Sequence, residues 1–107
     1  MTTLTAPQAT LRTDARAEPR DEVFHRACAR AEGCAPFNLL VVNVSPSGLM
    51  ARCEEDIAPG SPLSILLPVA GRLRASVVWA LGGRIGCRFG ETIPPALYYE
   101  MLAALRR

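Results

Sequence analysis

The sequence predicts an all-β fold, six short antiparallel strands and one C-terminal helix, arranged as a small barrel or as two packed sheets. Two observations predict the strands: apolar and polar residues alternate through the middle of the chain, and turn residues interrupt them at close intervals. A third predicts the helix, because apolar residues in 96–107 recur at helical spacing. With 107 residues, half of them hydrophobic, the chain suits one domain with its own core.

The chain divides into a predicted flexible arm, residues 1–19, and a folded domain, residues 20–107. The arm is rich in threonine, alanine and charge and has no sustained apolar period. Arg12, Arg16 and Arg20 recur at every fourth position, which places them along one side of a helix or spaces them along an extended arm. Without an anionic partner, they form a solvated stripe whose positive charge is partly offset by neighbouring acidic residues.

The first two strands are predicted at 22–31 and 37–44, joined by a loop that contains glycine and proline. The first segment alternates in the manner of a strand. A helix remains possible there, because alanine is abundant and Arg26 and Arg30 also lie at helical spacing.

The segment Asn-Val-Ser-Pro-Ser-Gly at 43–48 interrupts a long apolar run and predicts a tight connection to the next strand, 49–53. Asn43 and Ser45 can bond the local backbone, and Gly48 can take a positive φ. A hairpin corner explains these residues by itself. The hydrogen-bonding side chains at fixed spacing also make this segment the main candidate for a binding site.

Further strands are predicted at 63–68, 72–81 and 84–89, with Gly-Gly at 82–83 forming a two-residue hairpin loop. The alternation assigns one face of the fifth strand to a set of core residues: Leu73, Ala75, Val77, Trp79 and Leu81. On the sixth strand the core residues are Ile85, Cys87 and Phe89, and Gly86 leaves room beside Trp79 or a ligand.

The C-terminal helix is predicted to begin after the capping residue Thr92 and two prolines. Its apolar stripe consists of Leu97, Met101, Ala104 and Leu105.

Composition excludes several classes of function. The net charge is only +2, so any anion site must be local, although all 12 basic residues are arginine. The aromatic residues fall mostly on predicted core faces, which argues against a barrel that binds DNA or RNA. His25 is the only histidine and there is no P-loop, so no enzyme is predicted.

Four widely spaced cysteines with one histidine predict no metal site. No apolar run is long enough to span a membrane, and the N-terminus has no signal-peptide core. We therefore expect reduced thiols and a cytoplasmic location.

Taken together, three motifs resemble those of PilZ domains. Asn43, Ser45 and Gly48 match the family's [D/N]-x-S-x-x-G, an R-x-x-x-R lies upstream, and a late hairpin at 77–89 ends in G-x-x-F. The resemblance covers about residues 16–107. It implies a six-stranded antiparallel β-barrel with a C-terminal helix, and many members bind the bacterial messenger cyclic di-GMP.

The arginine motif fits three pairs of residues: Arg12 with Arg16, Arg16 with Arg20, and Arg26 with Arg30. The family places the pair immediately before the first strand, which selects Arg16 and Arg20. The implied ligand-binding set is Arg16, Arg20, Asn43, Ser45 and Gly48.

The resemblance thus implies a cytoplasmic, non-enzymatic sensor that needs no cofactor. It would bind cyclic di-GMP and then rearrange its arm. This rearrangement would relay nucleotide binding to a partner protein that acts in motility or polysaccharide synthesis. The alternative is an adaptor with the same fold that does not bind nucleotide and acts through protein contacts.

Overall fold

Six strands and one helix make up residues 18–107, the part of the chain that this computed structural model describes. The elements are β1 (Asp21–Ala31), β2 (Phe37–Ser45), β3 (Gly48–Arg52), β4 (Pro62–Leu67), β5 (Gly71–Leu81), β6 (Arg84–Phe89) and α1 (Pro95–Leu105). All six predicted strands and the helix are confirmed, and the first segment is a strand rather than a helix. The proposed arm, apart from its last two residues, lies outside the described residues.

The sheet is a closed barrel with the strand order β1-β2-β3-β6-β5-β4. Every neighbouring pair is antiparallel, including β1 with β4, which closes the cylinder. The prediction of an antiparallel barrel is therefore confirmed, and the arrangement as two packed sheets is not formed. Closure gives every strand two neighbours, and β1 meets β4 over Cys28–Ala31.

The core contains the inward-facing residues of all six strands and one face of α1. The predicted core positions Ile85, Cys87 and Phe89 of β6 are buried. The apolar stripe of α1 consists of Tyr98, Met101, Leu102 and Leu105, so the prediction was right for two of its four residues. Of the other two predicted residues, Leu97 is half-buried and packs against the core. The helix begins at Pro95, one residue earlier than predicted, with Pro94 rather than Thr92 at the N-cap.

The inner face of β5 differs from the prediction because the pairing of this strand is irregular. The register between β5 and β6 shifts between Val77 and Trp79, which marks a β-bulge. An extra residue reverses the alternation, so Trp79 lies on the outer surface with 40% exposure, and Leu81 is exposed as well. The predicted core positions of these two residues were therefore wrong.

The aromatic residues are also less buried than the sequence predicted. Phe24 is 76% exposed and Tyr99 is 66% exposed. Together with Trp79 they lie on three different elements, β1, β5 and α1. They do not form the continuous row of aromatic faces on which successive bases of a single strand stack.

Thiol reactivity gives a direct test of this core. Cys28 and Cys34 are exposed, whereas Cys53 and Cys87 are buried. Burial raises the pKa of both buried thiols, that of Cys87 to about 12. Because the thiolate is the reactive form, we expect two of the four cysteines to react rapidly with a disulfide reagent at pH 8. All four should react in denaturant, and rapid reaction of all four in the native protein would contradict this core.

Candidate functional site

The hairpin between β2 and β3 forms the predicted tight connection, with Pro46 and Ser47 as its two loop residues. Its tip is attached to the rest of the barrel by main-chain hydrogen bonds. The Phe89 N–H donates to the Ser47 carbonyl at 2.8 Å, and the Ile93 N–H donates to the Pro46 carbonyl at 2.9 Å. The loop is thus held to β6 and to the segment before α1, which makes it a rigid part of the surface.

Gly48 is required by a close approach of two strands, not by a special backbone angle. Its φ is not among the positive glycine angles of the described chain, so the expected positive φ is wrong. A Cβ atom placed on Gly48 would lie 2.2 Å from the carbonyl oxygen of Cys87 and 3.3 Å from the Cα of Arg88. Only glycine lets β3 pack this closely against β6.

Arg20 and Asn43 meet on the surface in front of this hairpin. The Arg20 guanidinium donates from Nη1 to Asn43 Oδ1 at 2.8 Å. A register shift between Val41 and Asn43 turns Asn43 outward while Val44 remains in the core. Asn43 therefore presents its amide to solvent at the point where the chain enters β1.

Ser45 and Glu18 complete the contacts around the hairpin. The Ser45 hydroxyl is 2% exposed and donates to the Gly48 carbonyl at 3.4 Å, inside the turn. The Ser47 hydroxyl donates to a carboxylate oxygen of Glu18, so the chain before β1 lies along the loop. Of the predicted set, the structure brings together Arg20 and Asn43 and places Ser45 and Gly48 within the adjoining turn. Arg16 lies outside the described residues.

An outward-facing row extends from Asn43 across three further strands. Asn43 pairs directly with Met50, Met50 with Gly86, and Gly86 with Trp79. A Cβ atom on Gly86 would lie 2.2 Å from Trp79 Nε1, so the indole covers this glycine. The row spans about 14 Å, since neighbouring strands are about 4.8 Å apart. It joins a polar end at Asn43 to an aromatic end at Trp79.

The sequence did not predict that Trp79 lies on the surface, because the alternation of apolar and polar residues gives no sign of the bulge in β5. Gly86, which lies opposite Trp79, was the available signal, because its lack of a side chain leaves room for the indole. Three exposed arginines border the row, at two-residue spacing from Met50 or Gly86 along β3 and β6: Arg52, Arg84 and Arg88.

The environment of these arginines differs along the row. Arg52 lines a cavity together with Glu54 and Glu55, which offset its charge. Arg88 lies directly opposite Gly48, which has no side chain, and no carboxylate of residues 18–107 lies within 4.0 Å of its guanidinium. Arg88 is therefore available to bind an anionic ligand.

A second cluster of hydrogen bonds attaches α1 to the start of β1. The Tyr98 hydroxyl lies 2.5 Å from Asp21 Oδ2 and 3.1 Å from the Val44 carbonyl oxygen. Burial, and then the bond to the Asp21 carboxylate, raise the pKa of Tyr98 well above its usual range. Arg106 donates from Nε and Nη2 to the Glu22 carbonyl at 3.1 and 2.9 Å. Both ends of the helix are thus fixed beside the candidate site.

Two further classes of site can be assessed on the same residues. Nowhere in residues 18–107 do three or more histidine, cysteine, aspartate or glutamate side chains gather to hold a metal ion. Within the same range, no helix has the length and apolar character needed to cross a membrane.

Comparison with known proteins agrees with this geometry. The sequence model of the PilZ domain matches residues 14–106. The fold is similar to the crystal structure of the PilZ domain of CeSA from a cellulose-synthesizing bacterium, with a TM-score of 0.58 and 13% identity, over 81% of this chain and 94% of that chain. No curated protein sequence matches the chain. The family match covers most of the sequence, both strands of the hairpin and the helix, and the chain therefore belongs to the PilZ domain family.

Proposed function

We propose that the protein is a bacterial, cytoplasmic sensor that binds cyclic di-GMP and relays binding to a partner protein. PilZ domains are regulatory binding domains, and members of the family either bind this nucleotide or act as adaptors. The observation that carries the proposal is the hydrogen bond from Arg20 to Asn43 at the polar end of the outward row.

The chemistry of the row fits a ligand with two phosphates and two guanines. A guanidinium has five N–H donors, and Arg20 uses one of them on Asn43, so it retains donors for guanine O6 and N7 or for a phosphate. The Asn43 amide can both donate and accept. The Trp79 indole offers an aromatic face for a guanine, and Arg88 a second cation for a phosphate. Arg16 would add a further fork from the arm.

The relay would begin at the entry to β1. Arg20 is followed directly by Asp21, and Asp21 is bonded to the Tyr98 hydroxyl of α1. A ligand that draws Arg20 away from Asn43 would therefore act on the residue that holds the helix. We expect modest affinity unless two ligand molecules stack, because association costs translational and rotational freedom.

The test is isothermal titration of the whole chain with cyclic di-GMP at about 50 and about 300 mM salt, because phosphate contacts weaken as salt rises. We expect saturable binding that is tighter at low salt. Arg20→Ala should weaken it about tenfold to a hundredfold, the effect of removing a charged hydrogen-bond donor. The matched control is Arg30→Ala, which removes an exposed arginine from the other end of β1 and should leave affinity unchanged.

Trp79 is the only tryptophan, so its fluorescence reports on the aromatic end of the row during the same titration. We expect a change in emission that saturates together with the heat. Heat without any change in emission would remove Trp79 from the site. No heat, together with an unchanged melting temperature in excess nucleotide, would contradict the sensor.

The adaptor that binds no nucleotide is the second candidate, and one contact favours it. Glu18 accepts a hydrogen bond from Ser47, which places a carboxylate on the same hairpin as Arg20 and Asn43. That negative charge opposes an anionic ligand. An adaptor would keep its affinity for a partner protein in the double variant Arg16→Ala with Arg20→Ala, whereas the sensor would lose nucleotide binding.

A further inference from the structure

Three arginines surround one serine on the outer surface of the barrel, away from the hairpin. Ser64 of β4 pairs directly with Arg30 of β1 on one side and with Arg74 of β5 on the other. Arg72, two residues along β5, donates from Nη1 to the Ser64 hydroxyl at 3.2 Å. We call Arg30, Arg72 and Arg74 the β4 arginine cluster.

The charges of this cluster are only partly offset within residues 18–107, by Glu32 beside Arg30 and by Glu91 beside Arg72 and Arg74. No carboxylate of residues 18–107 lies within 4.0 Å of any of its three guanidinium groups. Arg30 and Arg74 flank Ser64 about 10 Å apart rather than pairing directly, so their mutual repulsion has a modest energetic cost in the isolated protein. An anionic ligand placed over Ser64 would remove that cost.

A groove of about 540 Å³ runs beside the cluster. Arg30, Arg74, Ser64, Ser76 and one carboxylate, that of Glu32, supply its polar lining, and the exposed Pro62 supplies an apolar contact, since Leu63 and Ala75 are buried in the core. This volume is in the range of clefts that hold a whole small molecule or a short stretch of chain, and it far exceeds the volume of a single phosphate ion. The mixed lining suits a peptide that carries carboxylates together with small apolar side chains.

The position of the groove separates it from the candidate nucleotide site. In the closed order of strands, β4 lies three strands from β3 in either direction, so Ser64 and Met50 are on opposite walls. At Ser64, β4 is paired on both sides, so a partner cannot add a strand there and must bind through side chains.

We propose that the β4 arginine cluster binds an extended acidic segment of a partner protein. Carboxylates two residues apart in an extended chain are about 7 Å from each other, which matches the separation of Arg72 and Arg74 along one face of β5. Arg30 lies across β4 from this pair and holds a third carboxylate. The segment's small side chains contact the exposed Pro62. This interaction does not depend on nucleotide binding.

The probe is a fluorescein-labelled peptide of alternating glutamate and alanine, measured by fluorescence anisotropy against the whole chain at low salt. The test variant is Arg30→Gln, Arg72→Gln and Arg74→Gln together. The matched control is Arg26→Gln, Arg52→Gln and Arg84→Gln together, which removes the same charge from exposed positions outside the groove. We expect binding to weaken about tenfold or more in the test variant, since each exposed ion pair contributes up to a few-fold, and about twofold at most in the control.

Three outcomes would overturn the proposal. The peptide could fail to bind the unaltered chain. Its binding could instead weaken equally in both variants, which would mean that only net charge determines the affinity. Inorganic pyrophosphate could also bind at the cluster more tightly than the peptide, which would make this a phosphate site. Titration of the test variant with cyclic di-GMP separates this proposal from the sensor, because that affinity should not change.

Discussion

Gly48→Ala is expected to destabilise the protein by about 3 kcal/mol, the upper part of the range for forcing an extra group into a packed site. The added methyl group would lie 2.2 Å from the Cys87 carbonyl oxygen, which is main chain and cannot rotate away. Relief requires β3 to move from β6, and this breaks the pairing that closes the barrel. Urea unfolding followed by circular dichroism measures the difference.

Gly90→Ala is the matched control for this change. The nearest atoms to a Cβ at that position belong to Arg74 and lie 3.7 Å away, an ordinary contact, and no positive φ is required. Its stability should stay the same or rise slightly, because alanine restricts the unfolded chain. If both variants unfolded at the same urea concentration, the close approach at Gly48 would not be the reason for glycine in the motif.

Tyr98→Phe is expected to destabilise the protein by about 2 kcal/mol. The hydroxyl bonds to the Asp21 carboxylate, and a hydrogen bond with a charged partner contributes more than a neutral one. Its removal also leaves the Val44 carbonyl without this partner while the ring remains buried. Thermal and urea unfolding should both report the loss.

Tyr99→Phe provides the comparison, since the neighbouring tyrosine is exposed and its hydroxyl has no hydrogen bond within residues 18–107. It should change stability by less than about 0.5 kcal/mol, as is usual for surface substitutions. Equal effects of the two variants would show that the Tyr98 hydroxyl does not hold α1 to β1.

The strands and the hairpin could be predicted from the sequence because each depends on a short local pattern. Alternation marked the strands, and the turn residues around Pro46 marked the hairpin. The orientation of Trp79 could not be predicted from the sequence. One extra residue in a strand moves every later side chain to the opposite face of the sheet, and bulges have no consistent sequence marker.

The contacts around the candidate site were harder still to predict. Tyr98 meets Asp21 across 77 positions of sequence, and no local pattern contains that information. The motif was recognised by its letters, yet the physical reason for Gly48 is its closeness to β6, which only the barrel creates. The family resemblance placed Asn43 and Arg20 in one predicted ligand-binding set, and the structure joins them by a hydrogen bond.

The way in which the hairpin tip is held explains which features of the motif can vary. Pro46 and Ser47 accept hydrogen bonds through their carbonyl oxygens, a group that all twenty amino acids possess. Other side chains could therefore replace these two without loosening the tip from β6, although replacing Ser47 would remove its hydrogen bond to Glu18. Inserting or deleting one residue would instead move a carbonyl away from its donor. The spacing between Ser45 and Gly48 is thus under stricter constraint than the identity of the two residues between them.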